Sequence, residues 1–193
     1  MSPAHPPIAA PLGDVMTERL DLRRFVTSDL DDLAAVFAHP EVWHFPYGRA
    51  FTRAETRTFL DAQMEEWDEG GFGCWAARAR ASGRMIGYVG ISVPRFLPEI
   101  LPAVEVGWRF EPSARGKGFA TEGARAALDE SFGTLGLEVA CSVPQSDNPA
   151  SVRVAERLGM RLVRPVAIPS TDRRGPVDGL LFEITREEWS GPT

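Results

Sequence analysis

An α+β domain, with a mixed, mostly antiparallel sheet flanked by helices, is the fold this sequence predicts, and three observations predict it. Helix-spaced apolar residues dominate the first third of the chain, and period-two runs bounded by turn residues dominate the middle. A glycine-rich loop then joins a strand directly to an alanine-rich helix, followed by another strand, which is a βαβ signature. With 193 residues, 44% hydrophobic and 25% charged, the chain has the make-up of one globular domain. Such a domain buries roughly 70% of its unfolded surface.

The elements follow in order. "ERLDLRRF" (Glu18 to Phe25) alternates, with Leu20, Leu22 and Arg24 on one face, and reads as a first strand. A helix follows, capped by Thr27 or Ser28, with the stripe Leu30, Leu33, Ala34 and Phe37, and Pro40 ends it. After the aromatic loop "WHFPYG", a second helix opens on the capping box Thr52 and Glu55 and closes at Gly70 and Gly71. "FGCWAARAR" and "RMIGYVGISV" are strands around the turn Ala81-Ser82-Gly83, and "AVEVGWRF" is a third, running into the glycine loop. A helix over Ala120–Phe132, the strand "LEVACSV", a short helix from near Pro149 to Gly159, and the strands "MRLVRPVAI" and "LLFEIT" complete the order. The opening residues 1–13 carry Pro3, Pro6, Pro7 and Pro11 and are expected as a flexible tail, leaving 14–193 as the domain.

Composition narrows the function classes. A net charge of −6 and a pI near 5.2 argue against nucleic acid as the main partner. The start has no basic region followed by an apolar run, and no stretch reaches the roughly 18 apolar residues of a membrane span, so a cytoplasmic protein without a membrane partner is expected. Cys74 and Cys141 fit no metal spacing, and no metal is expected.

"FEPSARGKGFATEGARAALDESF" (Phe110 to Phe132) carries the chemistry. Glycines without a Cβ let backbone N–H groups approach a ligand, and a helix N-terminus adds about half a positive charge, so the segment suits a phosphate. Lys117 precedes Gly118 and no Ser or Thr follows it, which excludes a Walker loop. Thr121 stands where a dinucleotide fingerprint needs its third glycine. The pattern [RQ]-x-x-G-x-[GA] is met by Arg115, Gly118 and Ala120. A tight strand-to-helix turn with solvated basic residues is the plainer reading of the same loop.

With these residues in place, the chain resembles the GNAT superfamily of acyl-CoA-dependent N-acetyltransferases. Within it, the chain looks most like the branch that holds the ribosomal-protein N-terminal acetyltransferases RimJ and RimL. "TERLDLRRFVTSDLDDL", "RMIGYVGI", "VEVGWRFEPSARGKGFATEG" and "SDNPASVRVAERLGM" match that branch in order, from about Thr17 to Trp189. The resemblance implies a GNAT fold, a sheet splayed between its fourth and fifth strands, and acetyl-CoA as co-substrate. By motif, the amides of Arg115, Gly116, Lys117, Gly118, Phe119, Ala120 and Thr121 would hold the pyrophosphate, with Arg115 and Lys117 as nearby cations. The strand before the loop would bulge, and Trp108, Arg109 and Phe110 would give main-chain contacts to pantetheine. Asn148 would touch the cofactor. Arg109 departs from the aromatic residue usual in the branch, which points to a different acceptor charge.

Catalytic candidates follow the reaction. An attacking amine must be neutral, and with α-amines near pKa 8 and lysines near 10.4 a base is useful. Glu105, sharing a strand face with Gly107 and Arg109, is the candidate base; a surface glutamate paired with an arginine is the alternative. Glu122 reads as a carboxylate favouring its helix N-terminus. Many members of the superfamily place a proton-donating tyrosine seven residues after the asparagine, where this chain has Ala155. Ser151 is the branch's substitute, or else an ordinary first-turn serine. Trp43 and Phe45, in the aromatic loop with His44 and Tyr47, are the expected acceptor contacts, and Trp43 equally reads as a core cap.

The reading is an acetyl-CoA-dependent N-acetyltransferase that transfers an acetyl group to a primary amine by direct attack in a ternary complex. The acceptor is a small-molecule amine or a protein N-terminus, and a homodimer is the one protein partner envisaged. A non-catalytic acyl-CoA-binding or regulatory module on the same fold is the rival, kept alive by Ala155, and a nucleotide-binding protein is a weaker third.

Overall fold

A computed structural model of the chain describes residues 6–169 and 175–191. Strands β1 (Val15–Met16) and β2 (Leu20–Arg24) lead into helices α1 (Leu30–Phe37), α2 (His44–Tyr47) and α3 (Arg53–Gly70). Strands β3 (Cys74–Ala79), β4 (Met85–Ser92) and β5 (Glu105–Phe110) precede α4 (Phe119–Phe132). Then come β6 (Val139–Ser142), α5 (Pro149–Arg157), β7 (Arg161–Ile168), β8 (Val177–Thr185) and α6 (Arg186–Ser190).

The eight strands form one sheet in the order β1-β2-β3-β4-β5-β6-β8-β7. Every neighbouring pair is antiparallel except β5 and β6, the pair joined through α4. Alternation places Leu20, Leu22, Val89, Val106 and Phe110 on the face covered by α4. Gly123 lets that helix sit close, because a Cβ there would lie 2.7 Å from Val89 Cγ1. The other face carries the second cluster, where Phe37, Leu60 and Trp43 of the α1–α3 region pack on Ala76 and Met85.

Local expectations are met in part. Thr27 and Ser28 do not cap α1; they start a single 3₁₀ turn, and α1 begins at Leu30 without a side-chain cap. The buried Asp29 carboxylate instead accepts from Val26 N–H and is held by Arg23 and Arg78, which ties the entry of α1 to β2 and β3. The Thr52–Glu55 capping box forms as expected. From Pro6 onward, the proline-rich start touches the domain. Ala9 N–H donates to Leu135 O, Leu12 N–H to Gly71 O and Trp75 Nε1 to Gly13 O, with Ile8 and Leu12 packed on the core. Two apolar side chains and the free N–H groups between the prolines are enough to fasten it.

The feature that positions the site is the parting of β5 and β6. They share one register pair, Glu105 with Cys141, beside a bond from Cys141 N–H to Val104 O. Beyond it they diverge, leaving the β6-facing edge of Val106–Phe110 without a strand partner. The splay therefore falls where the resemblance implies, since β5 and β6 are fourth and fifth once the two-residue β1 is set aside. The expected bulge is absent: β4 and β5 pair without a register shift from Gly87–Phe110 to Ser92–Glu105. Opposing one another in a regular ladder, Gly90 and Gly107 make a trough rather than a bulge, and a Cβ on Gly107 would meet nothing.

Candidate active site

A cleft of about 960 Å³ opens along the splay. One end is the glycine loop. Gly116 (φ 71°) and Gly118 (φ 85°) both take the left-handed conformation that side chains avoid, and this turns the loop into α4. Arg115 N–H donates to Pro112 O, and Glu122 N–H to Gly118 O. Between these bonds, the N–H groups of Gly116 to Thr121 have no carbonyl partner among the described residues. A cradle of unpaired amides at the positive end of a fourteen-residue helix fits a pyrophosphate.

Arg19 joins the expected Arg115 and Lys117 as a cation beside this cradle. Arg115 gives its guanidinium to Phe110 O (3.2 Å) and Glu41 O (2.7 Å), so it braces the loop from beneath. Arg19, which the sequence reading did not select, donates to Lys117 O at 2.8 Å and lies 4.8 Å over the Phe119 ring. Glu122 holds Arg19 at 2.6 Å and accepts from Thr17 Oγ1 and Arg19 N–H. Glu122 thus fastens the β1–β2 connection to the loop, and these bonds lower its pKa against the rise that burial alone would give. Lys117 is exposed.

The open edge of β5 brings Trp108, Arg109 and Phe110 to the middle of the cleft. Asn148 caps α5, its Oδ1 accepting from Ser151 N–H at 3.2 Å, with Pro149 at the first helical position. Ser151 and Asn148 both line the cleft, whereas Ala155 is fully buried in the core and faces no ligand space.

Glu105 lies where β5 and β6 part. Its Oε1 accepts from Val143 N–H at 3.3 Å. Burial raises its pKa to about 7, against the opposing effects of that hydrogen bond and of Arg109. No arginine pairs with it among the described residues, so the surface-pair alternative does not describe it. Burial also pushes the thiols of Cys74 and Cys141 up, which keeps both neutral and unreactive.

At the other end stands the aromatic wall. Phe45 lines it half-buried, while Trp43 is only 5% exposed, stacked on Phe51 at 3.9 Å, and so belongs mainly to the core. Arg109 is not a free charge for an acceptor, because its guanidinium is taken up by the carbonyls of Val42 and Phe45. Phe59, Gln63, Tyr88 and Phe96 complete the wall. Tyr88 and Ser92 were legible in principle, being four residues apart on the face of β4 opposite Val89 and Ile91. Phe59 and Gln63 looked like ordinary helix-face residues. Among the described residues no helix is long and apolar enough to cross a membrane, and no cluster of His, Cys, Asp and Glu could hold a metal.

Residues 19–161, which span the splay and the loop, match the family model of the acetyltransferase (GNAT) domain. The chain belongs to the GNAT acetyltransferase family. This GNAT chain is 25% identical to the uncharacterised N-acetyltransferase YnaD of Bacillus subtilis, over 91% of this chain and 99% of that one. The crystal structure of an acetyltransferase from Agrobacterium tumefaciens is 26% identical with a TM-score of 0.72, covering 94% of this chain and 99% of that one. A ribosomal-protein-S5-alanine acetyltransferase from Vibrio fischeri shares the fold at 19% identity, with a TM-score of 0.73 and 91% and 98% of the two chains covered.

Proposed function

We propose that this GNAT protein is an acetyl-CoA-dependent N-acetyltransferase that acetylates a primary amine by direct attack within a ternary complex. The observation that carries the reading is the meeting of three features in one cleft: a cradle of unpaired amides, an unpaired strand edge, and Glu105. Acetyl-CoA supplies the acyl group as a thioester. The amides of Gly116 to Thr121 would hold its pyrophosphate, and the edge of β5 its pantetheine.

Glu105, with a pKa of about 7, is a base matched to neutral pH. It accepts the proton of the amine, directly or through one water, as the amine nitrogen attacks. Ser151 donates a hydrogen bond to the sulfur that departs. Two neutral, buried thiols make poor acyl carriers, which favours direct attack over a covalent enzyme intermediate. The RimJ/RimL-like motifs put a protein N-terminus beside small-molecule amines as the acceptor to test.

The test is acetylation of a panel: a peptide with a free α-amine, spermidine, glycine and kanamycin, read by product mass. One or more acetylated products are expected; a protein that binds CoA yet acetylates none is the non-catalytic module. CoA and acetyl-CoA should also raise the melting temperature where ATP and NAD do not. At one hundred times the dissociation constant the stabilisation is about 2.7 kcal/mol. Equal shifts with ATP would remove the CoA assignment.

Ser151→Ala separates the hydroxyl from the helix start. The cap bond uses Ser151 N–H, which alanine keeps, so the fold should change little. Loss of a hydrogen bond to the departing sulfur should lower kcat and kcat/KM together, by about tenfold to a hundredfold. Asn148→Ala is the control, expected to cost about 1 kcal/mol of stability as the cap is lost, and to weaken acetyl-CoA binding. Wild-type turnover in Ser151→Ala would return Ser151 to an ordinary helix-start role.

A further inference from the structure

We propose that Arg109 is a positioning residue. Its guanidinium fastens the aromatic loop Val42–Tyr47 to the strand bordering the cofactor groove and so sets the shape of the acceptor site. The functional half of this proposal rests on the reading above; the structural half does not.

Pro46 removes a backbone donor from this turn. A helical turn starting here would give Val42 C=O the N–H of residue 46, and proline has none. Phe45 leaves helical geometry (φ −104°, ψ 123°), so α2 is broken at that residue. The carbonyls of Val42 and Phe45 therefore lack backbone donors among the described residues. Nη1 of Arg109 supplies both, that to Phe45 at 2.8 Å. The same guanidinium lies 3.9 Å over the Trp43 ring, and its Nε donates to Tyr88 Oη at 3.2 Å. No carboxylate lies within ion-pair distance of Arg109 among the described residues, so these carbonyls, one ring and one phenol are what its side chain serves. Tyr88 and Arg109 are opposed in the β4–β5 ladder, which anchors the strut in a stretch without a register shift. One planar fork thus joins the loop, the acceptor wall and the strand that carries Glu105.

The strut also sits near the base. The ionisable groups around Glu105 are Arg109 on its own strand, Tyr88 on β4, Cys74 on β3 and Cys141 on β6. Glu66 of α3, paired with Arg95, acts on Cys74. Of these, Arg109 is the cation that favours the charged carboxylate.

Hydrogen–deuterium exchange on the ligand-free protein tests the strut without assuming catalysis. In Arg109→Met, which keeps an apolar stem against Trp43, amides of residues 41–51 should exchange about tenfold faster or more, while β5 and α4 keep their protection. Arg109→Lys, the milder variant should methionine unfold the protein, should show the same loosening to a smaller extent. With the fastest amine of the panel, Arg109→Met should raise the acceptor KM about tenfold, leave acetyl-CoA affinity unchanged and move the acid limb of kcat/KM to higher pH. Lysine should return the limb, by restoring the charge, but not the KM, because one ammonium cannot reproduce the fork. Unchanged exchange at residues 41–51 overturns the proposal, as does an acetyl-CoA affinity that falls as far as the acceptor KM rises. Faster exchange in a protein that acetylates no amine would leave the strut standing and remove the enzymatic reading.

Discussion

Glu105→Gln is expected to slow turnover by about 10²- to 10⁴-fold at neutral pH while acetyl-CoA affinity stays nearly unchanged. Glutamine keeps the shape and an oxygen for Val143 N–H but cannot take a proton. An effect below about threefold would count against a general-base role. The pH dependence has a definite sign. Glu105 has its pKa raised by burial to about 7, so the charged, working form gives way to the protonated form as pH falls through about 7. The acid limb of the wild-type kcat/KM profile should bend there and be absent from the glutamine variant. Stability runs the opposite way. The folded state binds this proton more tightly than an unfolded chain with an ordinary glutamate, so this group's contribution is full at low pH and is lost as pH rises through about 7. Glutamine has no such loss, so its melting temperature relative to wild type should be higher at pH 8 than at pH 5.

Gly118→Val should abolish measurable CoA binding in the protein that remains folded. The added side chain would occupy the space over the amide cradle, and its Cβ would stand 3.2 Å from Arg19 Nη2. At φ 85° a β-branched residue is also strained, by more than about 1–2 kcal/mol, so some loss of stability accompanies the loss of binding. Gly118→Asn separates the two effects, because asparagine tolerates the left-handed region but still crowds the cradle. Titration calorimetry with CoA should therefore find both variants defective. Wild-type affinity in a folded Gly118→Asn would show that the loop is only a turn.

Most of the architecture was legible because period and punctuation agree along the chain. The Thr52–Glu55 box, the closing glycines of α3, the alternation around Glu105 and the Asn148–Pro149 helix start all carry their own local causes. The glycine loop was legible too, since two glycines at left-handed φ leave a sequence trace. What escaped reading depends on contacts between distant segments. Arg19 reaches the loop across the β1–β2 connection, and nothing in "TERLDL" marks it as a loop ligand. Arg109 looked like a charge offered to a substrate, and only the broken turn at Phe45–Pro46 gives it another use. Trp43 belongs mainly to the core because Phe51 stacks on it, and that partner is eight residues away. The helix α6 was missed despite a visible signal: Thr185 and Glu188 form the same capping box as Thr52 and Glu55, on a run of only five residues.

The most direct test of the account is the initial rate of thiol release from acetyl-CoA, measured across a grid of acetyl-CoA and amine concentrations. The account predicts no release above background without amine, saturable release with at least one amine of the panel, and intersecting double-reciprocal lines, as a ternary complex requires. Thiol release that no amine accelerates, from a protein that binds CoA, would contradict it. Parallel lines with an acetylated cysteine would contradict direct attack.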